Sequence, residues 1–224
     1  MRIAFFRPKT LVHIIGRIVA ALPAIETARV SARQVQSINN IKQLALGLLN
    51  YESAMGHFPG AAMKADGSKH PHSWRVAILP YLGENDLYNR YQFDEPWDSP
   101  ANKQLVSQIP NVYRHPSDSR KGMASYFVAV GDGTIFSEED GIRINDIKDG
   151  TSKTLMVLEA RRDIPWTQPE DIPETVKPNE LGWSPGKFNA SRADGSVQTY
   201  SHTLEPKILS LLLNKADGQR IPLQ

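Results

Sequence analysis

The stretch from Ser31 to Gly60 constrains the fold of this chain most, because it combines one helical stripe with an abrupt stop. Its apolar positions recur three or four residues apart, the spacing that places side chains on one side of an α-helix. Gly56 favours a left-handed cap, and Pro59 disfavours helical geometry in the residue before it. The sequence therefore predicts one long helix that packs along the rest of the domain and ends near Gly56. The stripe consists of Val35, Ile38, Ile41, Ala45, Leu48 and Leu49.

The first 22 residues have the features of a degenerate anchor or signal segment. Basic residues precede an apolar run from Leu11 to Leu22, which is about half of the roughly 20 residues that a membrane-spanning helix needs. His13 and Arg17 interrupt this run. An ordinary helix buried on one face explains the same residues. Pro23 is expected to bend or interrupt the helix that follows.

Composition narrows the function classes. The 26 basic and 24 acidic residues leave a net charge of only +2, so no overall field favours nucleic acid as a partner. The chain has no cysteine, which excludes a disulfide, a thiolate nucleophile and a cysteine metal site. With 40% hydrophobic residues, the 224-residue chain can form one sizeable core.

Short apolar runs between turn residues predict antiparallel strands in the rest of the chain. Ser125 to Val130 and Thr154 to Ala160 are rich in branched or aromatic residues and lie between glycine turns. Lys187 to Arg192 and Ser196 to Ser201 flank Ala193-Asp194-Gly195, and Asp-Gly between two short strands predicts a hairpin.

Three further segments complete the prediction of an α+β fold, in which a long N-terminal helix packs on an antiparallel sheet with irregular loops. Trp74 to Pro80 is expected to be a buried strand or a short helix. The stretch from Arg162 to Gly182 is a proline-rich excursion without periodicity, which reads as a loop or a lid. Leu204 to Lys215 predicts a short C-terminal helix with Thr203 as its cap. Its apolar face comprises Leu204, Ile208, Leu211 and Leu212.

Two histidines are candidate metal ligands, because imidazoles two residues apart in a loop can converge on one ion. His70 and His72 would need Asp66 or Asp86 as a third ligand. The alternative is that His72 simply enters a strand.

Two acidic regions are candidate cation sites. Asp94, Glu95 and Asp98 surround Trp97, and they either bind a cation or cap turns and pair with Arg90 or Lys103. The glycine-rich region 131–150 offers oxygen ligands for calcium, although its pattern is not that of an EF-hand and Asp-Gly pairs are common in turns. The calcium candidates are Asp132, Glu138, Glu139, Asp140 and Asp149.

The tryptophans have two interpretations as a group: they line a carbohydrate or peptide groove, or they pack in the core and at its rim. They are Trp74, Trp97, Trp166 and Trp183. Serine chemistry has no support, since no serine stands in a Gly-x-Ser-x-Gly setting. We expect no catalytic residues.

The order of several motifs resembles the DUF1559 family, prepilin-like proteins that are abundant in planctomycete-type bacteria. The motifs run from QVQSINNIKQLALGLLNYESAMGHFPG through HSWRVAILPYLGENDLYNRYQFDEPWDSP, VYRHPSD and INDIKDGTSKTLMVLEA to FNASRADGSVQTYS, and they cover about Leu22 to Leu213. The family motif positions are Asn39, Asn40, Trp74, Pro80, Tyr81, Trp97, Pro116, Asp118, Asp149, Gly150, Ser184, Asp194 and Gly195.

The resemblance implies a pilin-like or pseudopilin-like fold, with residues 1–22 as the anchor-like segment and residues 23–224 as the α+β domain. The chain departs from the family at its N-terminus, because no Gly-Phe pair precedes the apolar run, which puts processing by a prepilin peptidase in question. It also lacks the histidine of the H-X9-DG element, whose position is Ser184. The family commonly has cysteines where Ser37 and His115 stand, so the resemblance predicts that these two positions are neighbours.

Two functions follow as expectations. The first is a non-catalytic envelope or surface-assembly protein that contacts protein partners, or other copies of itself, through the N-terminal helix. The second is a soluble solute- or glycan-binding module that uses a pocket between the sheet and the excursion at 162–185. The cell envelope is the expected location, and the degenerate N-terminus leaves membrane association and a cytoplasmic location open. No cofactor is expected apart from calcium at the acidic region.

Overall fold

The computed structural model describes residues 8–64, 67–137 and 141–219, and for residues 8–22 it describes the backbone alone. Five α-helices and eight strands alternate with 3-10 turns in this part of the chain. The helices are α1 (Pro8–Met55), α2 (Trp74–Ala77), α3 (Asn85–Arg90), α4 (Pro100–Val106) and α5 (Pro206–Leu213). The strands are β1 (Ala62–Lys64), β2 (Pro71–Ser73), β3 (Tyr126–Phe127), β4 (Ala129–Val130), β5 (Leu155–Glu159), β6 (Ile172–Pro173), β7 (Lys187–Arg192) and β8 (Val197–Ser201).

Helix α1 is 48 residues long, which at 1.5 Å per residue is about 70 Å. It ends as predicted, since Gly56 has a φ of 80° and its amide donates to the carbonyl of Glu52 at 2.7 Å. The predicted interruption at Pro23 is wrong, because the helix continues through that residue. Pro23 is exposed, so water can satisfy the carbonyl group that loses its donor. Among the residues described, no helix is both long enough and apolar enough to cross a membrane.

The C-terminal half of α1 buries one face against β5, β7 and the neighbouring 3-10 turns. The predicted stripe is largely confirmed, but Val35 is 58% exposed and does not belong to it. Val35 precedes the buried Ser37 by two residues, a rotation of about 200° that places it on the opposite side of the helix. The buried positions are Ser37, Asn40, Ile41, Leu44, Ala45, Gly47, Leu48 and Tyr51.

A four-stranded antiparallel sheet, in the order β3-β5-β7-β8, lies under α1. The hairpin of β7 and β8 is confirmed, with Phe188 opposite Tyr200 and the turn glycine Gly195 at a φ of 83°. Every residue of β5 is buried, because α1 and α5 both contact this strand. The α+β class and the long helix on an antiparallel sheet are therefore confirmed.

The predicted strand from Ser125 to Val130 is divided in two. Tyr126 and Phe127 join the main sheet, whereas β4 pairs in parallel with β6 from the proline-rich excursion. Between them, the amide of Val128 donates to the carboxylate of Asp171 at 2.9 Å instead of to a strand. The excursion is thus anchored in the core rather than a free lid, and its Trp166 is fully buried.

Two helical segments differ in detail from their predictions. The segment after Ser73 forms α2 and then a 3-10 turn, and the Ser73 side chain accepts the amide of Arg75 at the helix start. Helix α5 begins only at Pro206, and the predicted cap Thr203 instead hydrogen-bonds the hydroxyl of Ser201. The N–H group at the first helical position has no acceptor within the helix, so proline, which lacks this group, loses no hydrogen bond there, and this favours the later start.

Candidate functional site

A small cleft of about 150 Å³ lies beside residues 30–34 of α1, shortly before the buried face of the helix begins at Ser37. Three segments that are far apart in the sequence form its walls: one turn of α1, the loop after the 3-10 turn at residues 111–113, and the end of the proline-rich excursion. The lining residues are Val30, Arg33, Gln34, His115, Ser117, Trp183, Ser184 and Pro185.

The indole ring of Trp183 forms one wall of the cleft. Gly182 precedes it with a φ of 86°, and a side chain there would come within 2.4 Å of the Lys187 carbonyl oxygen, so the turn requires glycine. The indole N–H donates to the carbonyl of Ala160 at 3.2 Å. The ring stacks on His115 at 4.9 Å between centroids with planes 4° apart, which holds both rings in place.

His115 is only 5% exposed and is neutral at physiological pH. Burial lowers its pKa to about 4, and the nearby Asp118 opposes this shift only in part. Its Nδ1 accepts the amide of Ser117 at 3.1 Å, which assigns the proton of the neutral ring to Nε2. Among the described residues, no acceptor meets the Nε2–H group.

Positive charge surrounds this pair of rings. The guanidinium groups of Arg120 and Arg161 lie 5.3 and 5.7 Å from the centre of the Trp183 ring, within cation-π range. Arg120 is paired with the carboxylates of Asp118 and Asp163, each at 2.8 Å. Arg33 adds a third guanidinium from α1, and its side chain is 45% exposed.

A buried polar network joins α1 to the sheet beside the cleft. The carboxylate of Glu159 accepts the Ser37 hydroxyl at 2.6 Å and the Asn189 amide at 2.9 Å. Burial raises the pKa of Glu159, while these hydrogen bonds favour its ionised form. Asn40 also donates to the carbonyl of Arg114 at 3.0 Å. Ser37 and His115 therefore lie on adjoining segments, and direct contact between the two positions stays a prediction.

Sequence reasoning missed a second buried polar centre, the ion pair of Arg75 and Asp171. Both side chains are fully buried, and Arg75 Nη2 lies 2.7 Å from Asp171 Oδ1. Asp171 also accepts the indole N–H of Trp74 at 3.0 Å, and Arg75 donates to the carbonyl of Tyr126 at 3.0 Å. Arg75 was read only as part of a buried apolar segment, since the sequence offers no local signal for a partner 96 residues away.

The predicted histidine metal site is wrong for His72. Its ring hydrogen-bonds the Tyr91 hydroxyl at 3.0 Å and the carbonyl of Phe93 at 2.8 Å, and burial lowers its pKa. His72 is therefore a core histidine that enters β2. Asp66 lies outside the described residues, and Asp86 is exposed on α3. Within residues 8–64, 67–137 and 141–219, no three histidine or acidic side chains gather as a metal site.

The described calcium candidates have other roles. The carboxylate of Asp149 accepts the amides of Asp217 and Gly218 at 2.7 and 2.9 Å and so holds the C-terminal segment. Asp132 is exposed, and its carbonyl accepts the ammonium of Lys215. The remaining calcium candidates, Glu138, Glu139 and Asp140, lie outside the described residues.

The acidic cluster near Trp97 does not pair as predicted. Arg90 instead donates to the side chain of Gln108 at 2.9 Å, and no ion pair joins Asp94, Glu95 or Asp98 to another described residue. Asp94 and Asp98 do lie in turns, which is the alternative that the sequence offered.

Of the two interpretations of the tryptophans, core packing is confirmed for Trp74 and Trp166, which are fully buried, and a groove lined by all four is wrong. Trp97 is half-buried, and of the four it is Trp183 that lines the cleft.

The motif positions fall into three groups. Ser184 lines the cleft, and Pro116 and Asp118 lie in the loop beside it. Others shape the backbone or the core. Asn40 and Trp74 make buried hydrogen bonds, and the Asp149 carboxylate accepts backbone amides of the C-terminal segment. Gly150 and Gly195 have a positive φ, and Asp194 accepts the Ser196 amide at 2.9 Å. Asn39 is exposed, Trp97 is half-buried, and Pro80 and Tyr81 lie in the 3-10 turn after α2.

Comparison with known proteins identifies a family but not a function. The family model SBP_bac_10, described as protein of unknown function (DUF1559), matches residues 26–186. This range includes the cleft residues and ends before the Asp-Gly turn of the hairpin. Searches of curated proteins and of solved structures found no significant match.

Proposed function

We propose that this chain, which belongs to the DUF1559 family, is a non-catalytic prepilin-like subunit of a cell-envelope or surface assembly. In this proposal α1 is the assembly element, and it packs against α1 of a second copy. The observation that carries the proposal is that one continuous helix has an exposed segment, residues 23–33, before the segment that packs on the domain.

One segment of α1 is exposed before the helix packs on the domain. Residues 23–33 are all exposed, whereas the core face begins at Ser37. Every exposed large hydrophobic side chain among the described residues is on α1: Ile25, Val30, Val35, Leu46 and Met55. Apolar surface concentrated on one element favours contact with a partner.

The outer face of α1 suits a second helix. Ala24, Ala28, Val35 and Leu46 follow each other at spacings of four, seven and eleven residues, which keeps them on one side of the helix. The charged residues of residues 24–35 lie on another face, at 26, 29 and 33, where Glu26 and Arg29 approach to 3.9 Å. Small side chains allow two helix backbones to approach closely, and within residues 24–35 this face carries no charged residue. Lys42 lies farther along the same face, where its long side chain can extend the ammonium group to water.

Disulfide cross-linking tests this contact directly, because the natural chain has no cysteine. Val35→Cys in the full-length chain should give a linked dimer under mild oxidation. Lys148→Cys, at an exposed position on the domain, is the matched control and should stay monomeric. Equal cross-linking of the two variants, or none in either, would contradict the proposal.

Fractionation of cells that express the full-length chain, with intact-mass measurement in each fraction, tests location and processing. A shortened, methylated or membrane-bound product supports assembly in the envelope. An unprocessed product in the soluble fraction opposes it.

A soluble solute- or glycan-binding module is the second candidate function, and two larger clefts along the excursion favour it. One, of about 430 Å³, lies between Ala61, Val130 and residues 169–173. The other, of about 370 Å³, lies between Gly133, residues 174–176 and α5. Their volumes suit a small ligand, but they lack the aromatic side chains expected for sugar stacking. Binding of neutral sugars by a variant whose α1 no longer contacts a second copy would favour this function.

A further inference from the structure

The cleft beside Trp183 contains a donor that is built into the fold and has no partner among the described residues. His115 is a residue that is only 5% exposed, and its ring is fixed by the stack on Trp183 and by the Ser117 amide. The residue lines the cleft, and no described residue accepts a hydrogen bond from its Nε2–H group. A fixed donor without an internal acceptor favours a ligand atom that accepts a hydrogen bond.

Arg33 is the one charged side chain among the residues that line the cleft, and the acids beside the cleft, Asp118, Asp163 and Glu159, are already engaged. Asp118 and Asp163 each bind Arg120. Arg161 makes no ion pair with a described residue, and Arg33 approaches Glu26 only to 4.0 Å on an exposed helix face. An exposed pair at this distance contributes little, so the Arg33 guanidinium is free to turn toward a ligand. The cleft therefore favours an anion.

The size and donor set of the cleft point to a carboxylate. About 150 Å³ is well below the roughly 300 Å³ of a typical ligand pocket, so the cleft takes one small group. Guanidinium groups match the two oxygens of a carboxylate with paired N–H donors, and the imidazole N–H adds a third donor. A phosphate group carries about −1.5 to −2 charges, so the single positive charge of Arg33 among the lining residues balances a carboxylate better than a phosphate.

We propose that the cleft between Arg33, His115 and Trp183 binds a carboxylate group of a small acid or of an acidic residue in a larger ligand. His115 Nε2–H and the Arg33 guanidinium donate to its oxygens, and Trp183 supplies an apolar wall. This site is independent of the outer helix face on which the assembly proposal rests.

NMR of the full chain labelled at tryptophan tests the site, because its four indole N–H groups give one signal each. The Trp183 signal is assigned by its loss in Trp183→Phe. D-Galacturonate and N-acetylglycine should shift this signal at millimolar concentration, whereas D-galactose and N-acetylglycinamide should not. A response to galacturonate alone identifies a sugar acid, and a response to N-acetylglycine identifies a peptide-like carboxylate. No response to either acid, equal responses to the neutral partners, or tighter binding of inorganic phosphate would overturn the proposal.

Two exposed arginines on α1 provide a matched pair of variants. Arg33→Gln should weaken carboxylate binding about tenfold, because it removes a charge-assisted contact. Arg29→Gln, one turn away and outside the cleft, should leave the dissociation constant unchanged. His115→Phe keeps an aromatic ring against Trp183 but removes the donor, and it should also weaken binding. Equal dissociation constants for the Arg33 and Arg29 variants would refute the site even if both proteins fold normally.

Discussion

The buried pair of Arg75 and Asp171 gives the sharpest test of how this fold is held together. Asp171→Asn preserves the size and shape of the side chain while removing its charge. All of the groups that contact the carboxylate are donors: two N–H groups of Arg75, the indole of Trp74 and the amide of Val128. An asparagine in either orientation must therefore direct its own NH₂ group at another donor.

The expected cost follows from burial. Both side chains are fully inaccessible, so the substitution leaves the Arg75 guanidinium as an uncompensated buried cation. Breaking a buried pair in this way costs about 3–5 kcal/mol, a large share of the roughly 5–15 kcal/mol that stabilises a typical domain. With a urea dependence of about 2–3 kcal/mol per molar, the unfolding midpoint should fall by roughly 1–2 M.

Urea unfolding followed by tryptophan fluorescence measures this change, and Asp163→Asn is its control. Asp163 also pairs with an arginine, Arg120, at 2.8 Å, but its side chain is 91% exposed. An exposed pair is worth at most about 1 kcal/mol, so this control should hardly move the midpoint. If the two variants lose the same stability, the argument that burial makes the Asp171 pair essential is wrong.

Three further predictions use the same assay. Leu44→Ala should cost about 2–5 kcal/mol because Leu44 is fully buried, whereas Leu46→Ala, at a 47% exposed position, should change stability by less than about 0.5 kcal/mol. Gly141→Ala should cost more than about 2 kcal/mol, since its new Cβ would lie 1.6 Å from the carbonyl oxygen of Phe58. Gly133→Ala should cost less, because its Cβ would meet the end of the flexible Asn214 side chain at 2.9 Å. The pKa of His115 is about 4 in the folded protein, against an ordinary value of 6.5, so the unfolded chain binds a proton at a higher pH than the folded protein does. The contribution of His115 to stability is therefore complete above about pH 6.5 and is lost as the pH falls toward about 4. After allowance for solvent screening this loss is about 2 kcal/mol, and His115→Phe should abolish that part of the pH dependence; an unchanged slope would contradict it.

Local signals explain what the sequence predicted well. Gly56 marks the end of α1 because a left-handed glycine terminates a helix within a few residues. The Asp-Gly turn at Asp194 specifies the β7–β8 hairpin in the same way, since the turn and both strands are adjacent in the chain. The stripe on α1 was predicted except at Val35, where an apolar residue lies on the outer face.

The sequence indicated single residues of the candidate cleft but not that they lie together. Trp183 was one of four candidate tryptophans, and His115 was noted only because the family has a cysteine there. Arg33, His115 and Trp183 come from segments separated by roughly 70–80 residues, and no periodicity or spacing links them. The same is true of Asp171, which looked like one of several acids in an irregular loop. Its burial depends on an arginine from the other side of the core.

The network at Ser37 connects the fold to the proposed assembly. Between residues 23 and 55 of α1, Ser37 is the first buried residue, and residues 23–33 are all exposed. Its hydroxyl binds the carboxylate of Glu159, which is itself held by the backbone amide of Asn189 on the next strand. Because these hydrogen bonds are directional, they determine the rotation of α1 about its own axis as well as its distance from the sheet. Apolar contacts alone specify this rotation less strictly. The rotation of α1 at Ser37 in turn determines which way Val35 and the rest of the outer face point. A polar contact inside the domain thereby orients the surface through which we propose that copies of this chain associate.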